Sequence, residues 1–302
     1  MGLPGARRIV DARRGAHADG LLRGVLAGEG CSGTEVARLR GGLIVPAEPS
    51  VSVVINLFAS GTETSAGFVT AAGLRYAGSA PVASPTIDAG PRAWVTLTLT
   101  PPGAYRVLGL PLAELDRPAT GLSDVLGPAA LELAARLREA AGWVERFDLL
   151  REFAVGRAEH GGSPAPEVTR AWARLTETGG RIPVRRLADE VGWSHQHLIR
   201  MFHRQLGHPP KTLARLLRLR GTLRDIRADG RVDQAVFAAG YHDRAHFARD
   251  LREFVGTTPG RYVRGALPCG CVTEADAVGD PAADPAAHGE VNSLQDANHD
   301  HR

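Results

Sequence analysis

Hydrophobic positions along the chain change period twice, and each change marks a different kind of element. Between about Val36 and Thr100 the apolar residues fall in short runs separated by Gly, Pro and Ser: Leu43–Val45, Val51–Phe58, Gly67–Thr70, Leu74–Tyr76 and Trp94–Thr100. In the last of these Trp94 and Thr96 alternate with Val95, Leu97 and Leu99, the period of two that a half-buried strand requires. Several short strands with frequent turns predict a small sheet or barrel. After Pro101-Pro102 the period becomes helical. AYRVLGLPLAEL and LSDVLG predict short helical pieces, and Pro128–Ala140 and Trp143–Val155 predict two amphipathic helices with Leu133, Leu137, Val144, Phe147 and Leu150 as the buried stripe. This hairpin, about residues 128–156, either covers the sheet of its own domain or pairs with a second subunit. HGGSPAPE, His160–Glu167, clusters Gly and Pro between two helical patterns and predicts a linker.

Beyond the linker the pattern is helical and repeats. Two units have the shape helix, Gly-aromatic turn, helix: IPVRRLADEVGWSHQHLIRMFHRQLG, beginning at Ile182, and RVDQAVFAAGYHDRAHFARDLREFVG, beginning at Arg231. A helix-turn-helix needs a small residue where its helices cross, a turn residue tolerant of positive φ, and apolar positions around both. Ala188 and Gly192 meet the first two demands, with Leu187, Val191, Trp193, Leu198 and Met201 inward and Ser194 placed to N-cap the second helix. In the second unit Gly240 takes the turn, Val232, Ala239, Tyr241, Phe247 and Leu251 point inward, and Asp243 is the cap. Each unit ends in Gly followed by Pro, as Gly207-His208-Pro209 and Gly256-Thr257-Thr258-Pro259. A helix from about Pro209 to Arg227 joins the units, and at about 1.5 Å per residue it is about 28 Å long, close to one turn of B-DNA. Its Arg215, Arg218, Arg220, Arg224 and Arg227 cannot all face one way, so some are expected at phosphates and others in solvent.

From about Glu167 to Gly265 the sequence resembles the AraC/XylS family of bacterial transcription regulators. The resemblance is carried by Ser194-x3-Leu198-x-Arg200-x-Phe202, by Ala245-His246-Phe247-Ala248-Arg249, and by Gly256-Thr-Thr-Pro-x2-Tyr262-x-Arg264. One departure is Ala235-Val236, which stands where the family has Val-Ala at the helix crossing of the second unit. The resemblance implies a cupin-like effector or dimerisation domain ahead of the helix-turn-helix units, and an activator that recruits RNA polymerase beside its promoter. The expected architecture is α+β and multidomain. A β-rich N-terminal domain with a helical extension (1–159) and a linker (160–166) precede an all-α domain with two helix-turn-helix units (167–265) and a disordered tail (266–302) rich in Ala, Pro and Asp.

Charge sharpens this picture. Residues 181–265 hold 17 Lys and Arg against 8 Asp and Glu, and the rest of the chain holds 19 against 25. A basic segment beside an acidic remainder points to a polyanion partner for that segment alone. Lys211 is the only lysine, as codon bias in a GC-rich genome would leave it. Three cysteines, Cys31, Cys269 and Cys271, make no disulfide framework at this length. With no signal-peptide run at the start and no stretch long enough to span a membrane, a cytoplasmic protein is expected.

The expected chemistry is therefore recognition of double-stranded DNA. In a helix-turn-helix the second helix enters the major groove, its first residues at base edges and its longer cations at phosphates. On the helix beginning at Ser194 the outward residues are His195, Gln196, Arg200 and Arg204. Gln196 suits the N6/N7 edge of adenine, and Arg200 suits guanine or a phosphate. On the helix beginning at Asp243 the outward set is His242, Arg244, Ala245, Arg249 and Arg252. Here a short Ala replaces Gln, so this helix is expected to hold backbone more than it reads bases. His197 and His246 occupy equivalent places and are expected to pack rather than to bind metal.

An enzyme is not expected, and neither is a cofactor. Residues 1–159 contain one histidine, His17, ahead of the β region, too few ligands for a metal-centred cupin site, and they contain no GxSxG elbow. Glu48, Glu63 and Asp88, near the ends of predicted strands, read as solvated loop carboxylates. Two rival functions remain. One is a thiol- or metal-responsive regulator using Cys269 and Cys271 with His288, His299 and His301. The other is a helical module that binds protein, which would be marked by binding insensitive to salt. A small-molecule effector and a homodimer are further partners that the N-terminal domain would serve.

Overall fold

Alternation in WVTLTL has the expected result: Val95, Leu97 and Leu99 are all buried on one face of a strand. The computed structural model describes residues 26–29, 43–44, 48–57, 66–70, 94–115, 119–265 and 272–273. Within them, β1 (Leu26–Glu29), β3 (Val51–Asn56), β4 (Gly67–Thr70), β5 (Trp94–Leu99) and β6 (Thr120–Gly121) form one antiparallel sheet in the order β1-β5-β3-β4-β6. Val53 lies opposite Leu97 and Ile55 opposite Val95, so the buried residues of the two central strands share a face. The expected strand Leu74–Tyr76 lies outside the described residues, as do Glu63 and Asp88.

Helices cover that face. In α1 (Pro101–Leu108) Thr100 is the N-cap, accepting from the Gly103 amide at 3.2 Å, the two prolines occupy the first turn, and Gly109 ends the helix at φ 75°. A 3-10 turn at Leu112–Glu114, α2 (Leu122–Leu126), α3 (Pro128–Glu139) and α4 (Trp143–His160) follow. Leu133 and Leu137 of α3 and Phe147, Leu150, Ala154 and Ala158 of α4 join the strands in a single core. The helical hairpin thus covers the sheet of its own domain. Val144 departs from the expected stripe and is 76% exposed. The buried residues of α4 advance in steps of three and four from Phe147, and Val144 falls on their flank, in the first turn. Helix α4 also runs past Val155 to His160.

A second core begins at α5 (Pro166–Glu177), where Val168, Ala171, Trp172 and Leu175 make a stripe with steps of three and four. It continues through α6 (Val184–Val191), α7 (His195–Leu206), α8 (Pro210–Asp229), α9 (Val232–Ala238), α10 (Arg244–Phe254) and α11 (Pro259–Gly265). Helix α8 is the axis, with Leu213, Leu216, Leu217, Leu219, Leu223 and Ile226 buried among the others. It starts with Pro210 at its first position and stops at Gly230, in the left-handed region.

The two cores touch where the C-terminal end of α7 packs on Leu112–Glu114 and on α1. The Ala165 amide donates to Gln205 Oε1 at 2.9 Å, and Glu48 lies 4.0 Å from Arg220 on α8. One finding was not expected of the tail. Val272–Thr273 forms β7, antiparallel to β2 (Leu43–Ile44), so these two residues are strand. The rest of 266–302, Cys269 and Cys271 included, lies outside the described residues. None of the described helices is long and apolar enough to cross a membrane.

Candidate nucleic-acid interface

Both Gly-aromatic turns have the same local construction. At the end of α6 the Gly192 amide donates to the Asp189 carbonyl at 3.1 Å and the Trp193 amide donates to the Ala188 carbonyl at 3.0 Å. At the end of α9 Gly240 and Tyr241 repeat this with Phe237 at 3.0 Å and Val236 at 3.2 Å. This paired return of two amides is the Schellman arrangement, and it needs a left-handed residue before the aromatic one. Gly192 (φ 76°) and Gly240 (φ 79°) supply it. The glycine reverses the chain and the aromatic side chain then packs under the next helix. Ala188 is 1% exposed at the crossing in the first unit, and Ala235 and Val236 are both buried in the second. The inverted Ala-Val order is accommodated without loss of the core.

The caps match as well. Ser194 Oγ accepts from the His197 amide at 3.2 Å, and Asp243 Oδ1 accepts from the His246 amide at 2.6 Å. The ring of His197 stands edge-on to Trp193 with centroids 4.5 Å apart, and that of His246 edge-on to Tyr241 at 5.1 Å. The two histidines therefore play equivalent packing parts in the first turns of α7 and α10. Replacing Ser194 with alanine should cost about 1 kcal/mol. A shift in denaturation midpoint of that size checks it, and an unchanged midpoint would show that the cap adds nothing.

His195, Gln196, Arg200 and Arg204 are exposed along α7, opposite the buried Leu198, Phe202 and Leu206. Arg200 donates to His197 Nδ1 at 3.0 Å, which holds its guanidinium over the first turn. On the second unit His242, Asp243, Arg244, Ala245, Arg249 and Arg252 are all exposed. Several of them are engaged within the unit. Arg244 grips Asp233, at the start of α9, through two donors. His242 Nδ1 donates to Asp243 Oδ2 at 3.1 Å. The His246 amide, and then His242, hold the Asp243 carboxyl below the usual carboxylate range, and Arg244 does the same for Asp233.

Of the α8 arginines, Arg220, Arg224 and Arg227 are exposed and Arg215 and Arg218 half-buried. Arg215 bonds to Asp250 and Glu253, Arg218 lies 4.9 Å over the Tyr241 ring, and Arg220 approaches Glu48. Arg224 pairs with Asp225, and Arg227 donates to the Tyr262 hydroxyl at 3.0 Å. Every one of the five has a partner within the chain. Sequence reasoning also passed over Asp250, which is 1% exposed. The signal was present, since a carboxylate stands between Phe247, Leu251 and Phe254 on the apolar stripe of α10.

A family model described as a helix-turn-helix domain matches residues 187–265, which span both units and the helix between them. Residues 187–265 are thus similar to AraC-type helix-turn-helix domains. Among solved structures the chain is similar to an apo variant of ToxT from Vibrio cholerae strain SCE256, with a TM-score of 0.39 and 10% identity over 74% of this chain and 89% of that one. It is also similar to ToxT from Vibrio cholerae O395, with a TM-score of 0.37 and 10% identity over 78% and 92% of the two chains. No match is found among curated proteins.

Proposed function

We propose that this protein is a transcription activator that binds an asymmetric DNA site of roughly 15–20 base pairs with α7 and α10 in successive major grooves. The observation that carries this reading is the pairing of two equivalently capped helices, each with an exposed basic face, at the two ends of one continuous helix. Helix α8 has 20 residues and is therefore about 30 Å long, against roughly 34 Å for a turn of B-DNA. Gln196 reads adenine, Arg200 reads guanine or holds a phosphate, and His195 donates to either. Arg204, Arg249 and Arg252 hold phosphates. Ser194 and Asp243 act as caps that set the first turn of each helix against the groove. Arg244 releases Asp233 on reaching DNA. Residues 1–159 form a cupin-like domain for a small-molecule effector or for homodimerisation, and the regulator contacts RNA polymerase in the cytoplasm.

Footprinting of the full-length protein on DNA from upstream of its own and neighbouring genes tests the core of the proposal. Protection of two successive major grooves on one face is expected. Gln196→Ala should change which base is preferred at one position, where a good bidentate contact is worth about 1–3 kcal/mol of discrimination. Arg249→Ala should weaken binding alike on all sequences. The reverse pattern would sink the assignment of roles, and the absence of any specific footprint at low salt would favour the protein-binding reading.

A further inference from the structure

The two reading helices are seated on the core by different chemistry. On α7 the inward residues are apolar, and seven residues after the cap stands Met201. The equivalent place on α10, seven residues after Asp243, is Asp250. Both of its oxygens are engaged. Oδ1 accepts from Arg215 Nε at 3.0 Å and Nη2 at 2.7 Å, and Oδ2 accepts from the Tyr241 hydroxyl at 3.1 Å. Arg215 also reaches Glu253, one turn along α10, at 3.1 and 2.5 Å, and its guanidinium lies 4.8 Å from the centre of the Phe254 ring. Arg218, one turn along α8, covers the Tyr241 ring. Burial first, and then the Asp250 charge, push the Tyr241 hydroxyl well above its ordinary value, so it remains a donor.

Apolar packing tolerates small rotations and slides of a helix, whereas a fork-shaped donor between two carboxylates has one geometry. A buried ion pair adds little net stability over a well-packed apolar replacement. Its effect here is directional. One side of Asp250 fixes α10 to the connector and the other fixes it to the turn, so the rotation and height of the outward face with Arg249 and Arg252 are set together. We propose that Asp250, held by Arg215 and Tyr241, is the positioning residue that fixes the second reading helix on α8 and so sets the spacing between half-sites that the protein accepts. The inference rests on the two-groove reading above.

The test uses full-length protein and duplexes selected from a random pool by the unaltered protein, together with the same duplexes carrying two extra base pairs between the half-sites. The unaltered protein should prefer the selected spacing by at least about tenfold, which is 1.4 kcal/mol. Asp250→Met, which copies the first unit, should keep the fold and the protection of the α7 half-site. Most of the spacing preference should be lost. Tyr241→Phe removes one of the three bonds to Asp250 while keeping the ring, and Arg215→Lys keeps the charge while losing the fork. Both should reduce the preference, and they decide the matter if Asp250→Met does not fold. A retained preference in variants that fold overturns the positioning role alone. If the unaltered protein binds both spacings equally, the two-groove reading falls and takes this inference with it.

Discussion

Gly180→Ala is expected to destabilise the C-terminal domain by about 2–5 kcal/mol, from a left-handed backbone cost of about 1–2 kcal/mol and a packing clash of about 1–3 kcal/mol. Gly179 and Gly180 end α5 in the same two-amide return that closes the reading turns, with Gly180 donating to the Leu175 carbonyl at 2.8 Å. Gly180 then holds φ 77° while its backbone lies against α8, and a Cβ there would stand 2.1 Å from the Ala214 carbonyl oxygen. Neither helix can yield, since Leu175 and Leu213 on the two sides are fully buried. Gly192 is the control. Its φ is 76°, but a Cβ would meet nothing within 4 Å, so Gly192→Ala should cost only the backbone term of about 1–2 kcal/mol. Denaturant unfolding of the two variants side by side checks the difference. Equal costs would mean that α5 and α8 are not in the contact described.

Phe202→Ala is the second large effect, with an expected loss of about 3–5 kcal/mol. Phe202 is fully buried on the inner face of α7, within the core that also holds Leu198 and Leu206. Its neighbour Arg204 is exposed on the outer face, and Arg204→Ala should change stability by no more than about 0.5 kcal/mol. The pair separates folding from contact. Phe202→Ala should lose DNA binding together with its thermal transition and regain much of it on cooling toward the temperature of greatest stability. Arg204→Ala should bind more weakly at every temperature with its melting unchanged. A Phe202 variant that melts normally would place that ring outside the core.

What could be read from the sequence followed from periodicity and from glycine. The helix-turn-helix units were legible because Gly192 and Gly240 must be left-handed where an aromatic residue follows, and Ser194 and Asp243 have the chemistry of caps at the right distance from them. The alternation at Val95, Leu97 and Leu99 likewise gave a strand and its buried face. Val144 misled because a helical stripe has a flank, and the first turn of α4 carries an apolar residue there without covering it. The run at Leu43 was legible as a strand, but its pairing with β7 was not, since two residues from the far end of the chain have no period to detect. The partners of the α8 arginines were hidden for a related reason. Sequence spacing says which way a side chain points on its own helix, but Asp250 lies 35 residues from Arg215 and meets it only once α10 has folded back onto α8.

That pairing changes what the charge of this domain means in solution. Each phosphate neutralised by a protein cation frees part of one condensed counterion, and the number freed sets how steeply affinity falls with salt. Counting arginines in the basic segment would suggest a steep dependence. Arg215 and Arg218 are half-buried against Asp250, Glu253 and the Tyr241 ring, so under the proposed DNA-binding role these two are expected to release few ions. The slope of log K against log salt is then expected to fall short of a count of every arginine in the segment, and binding should persist at ionic strengths that the net charge alone would forbid.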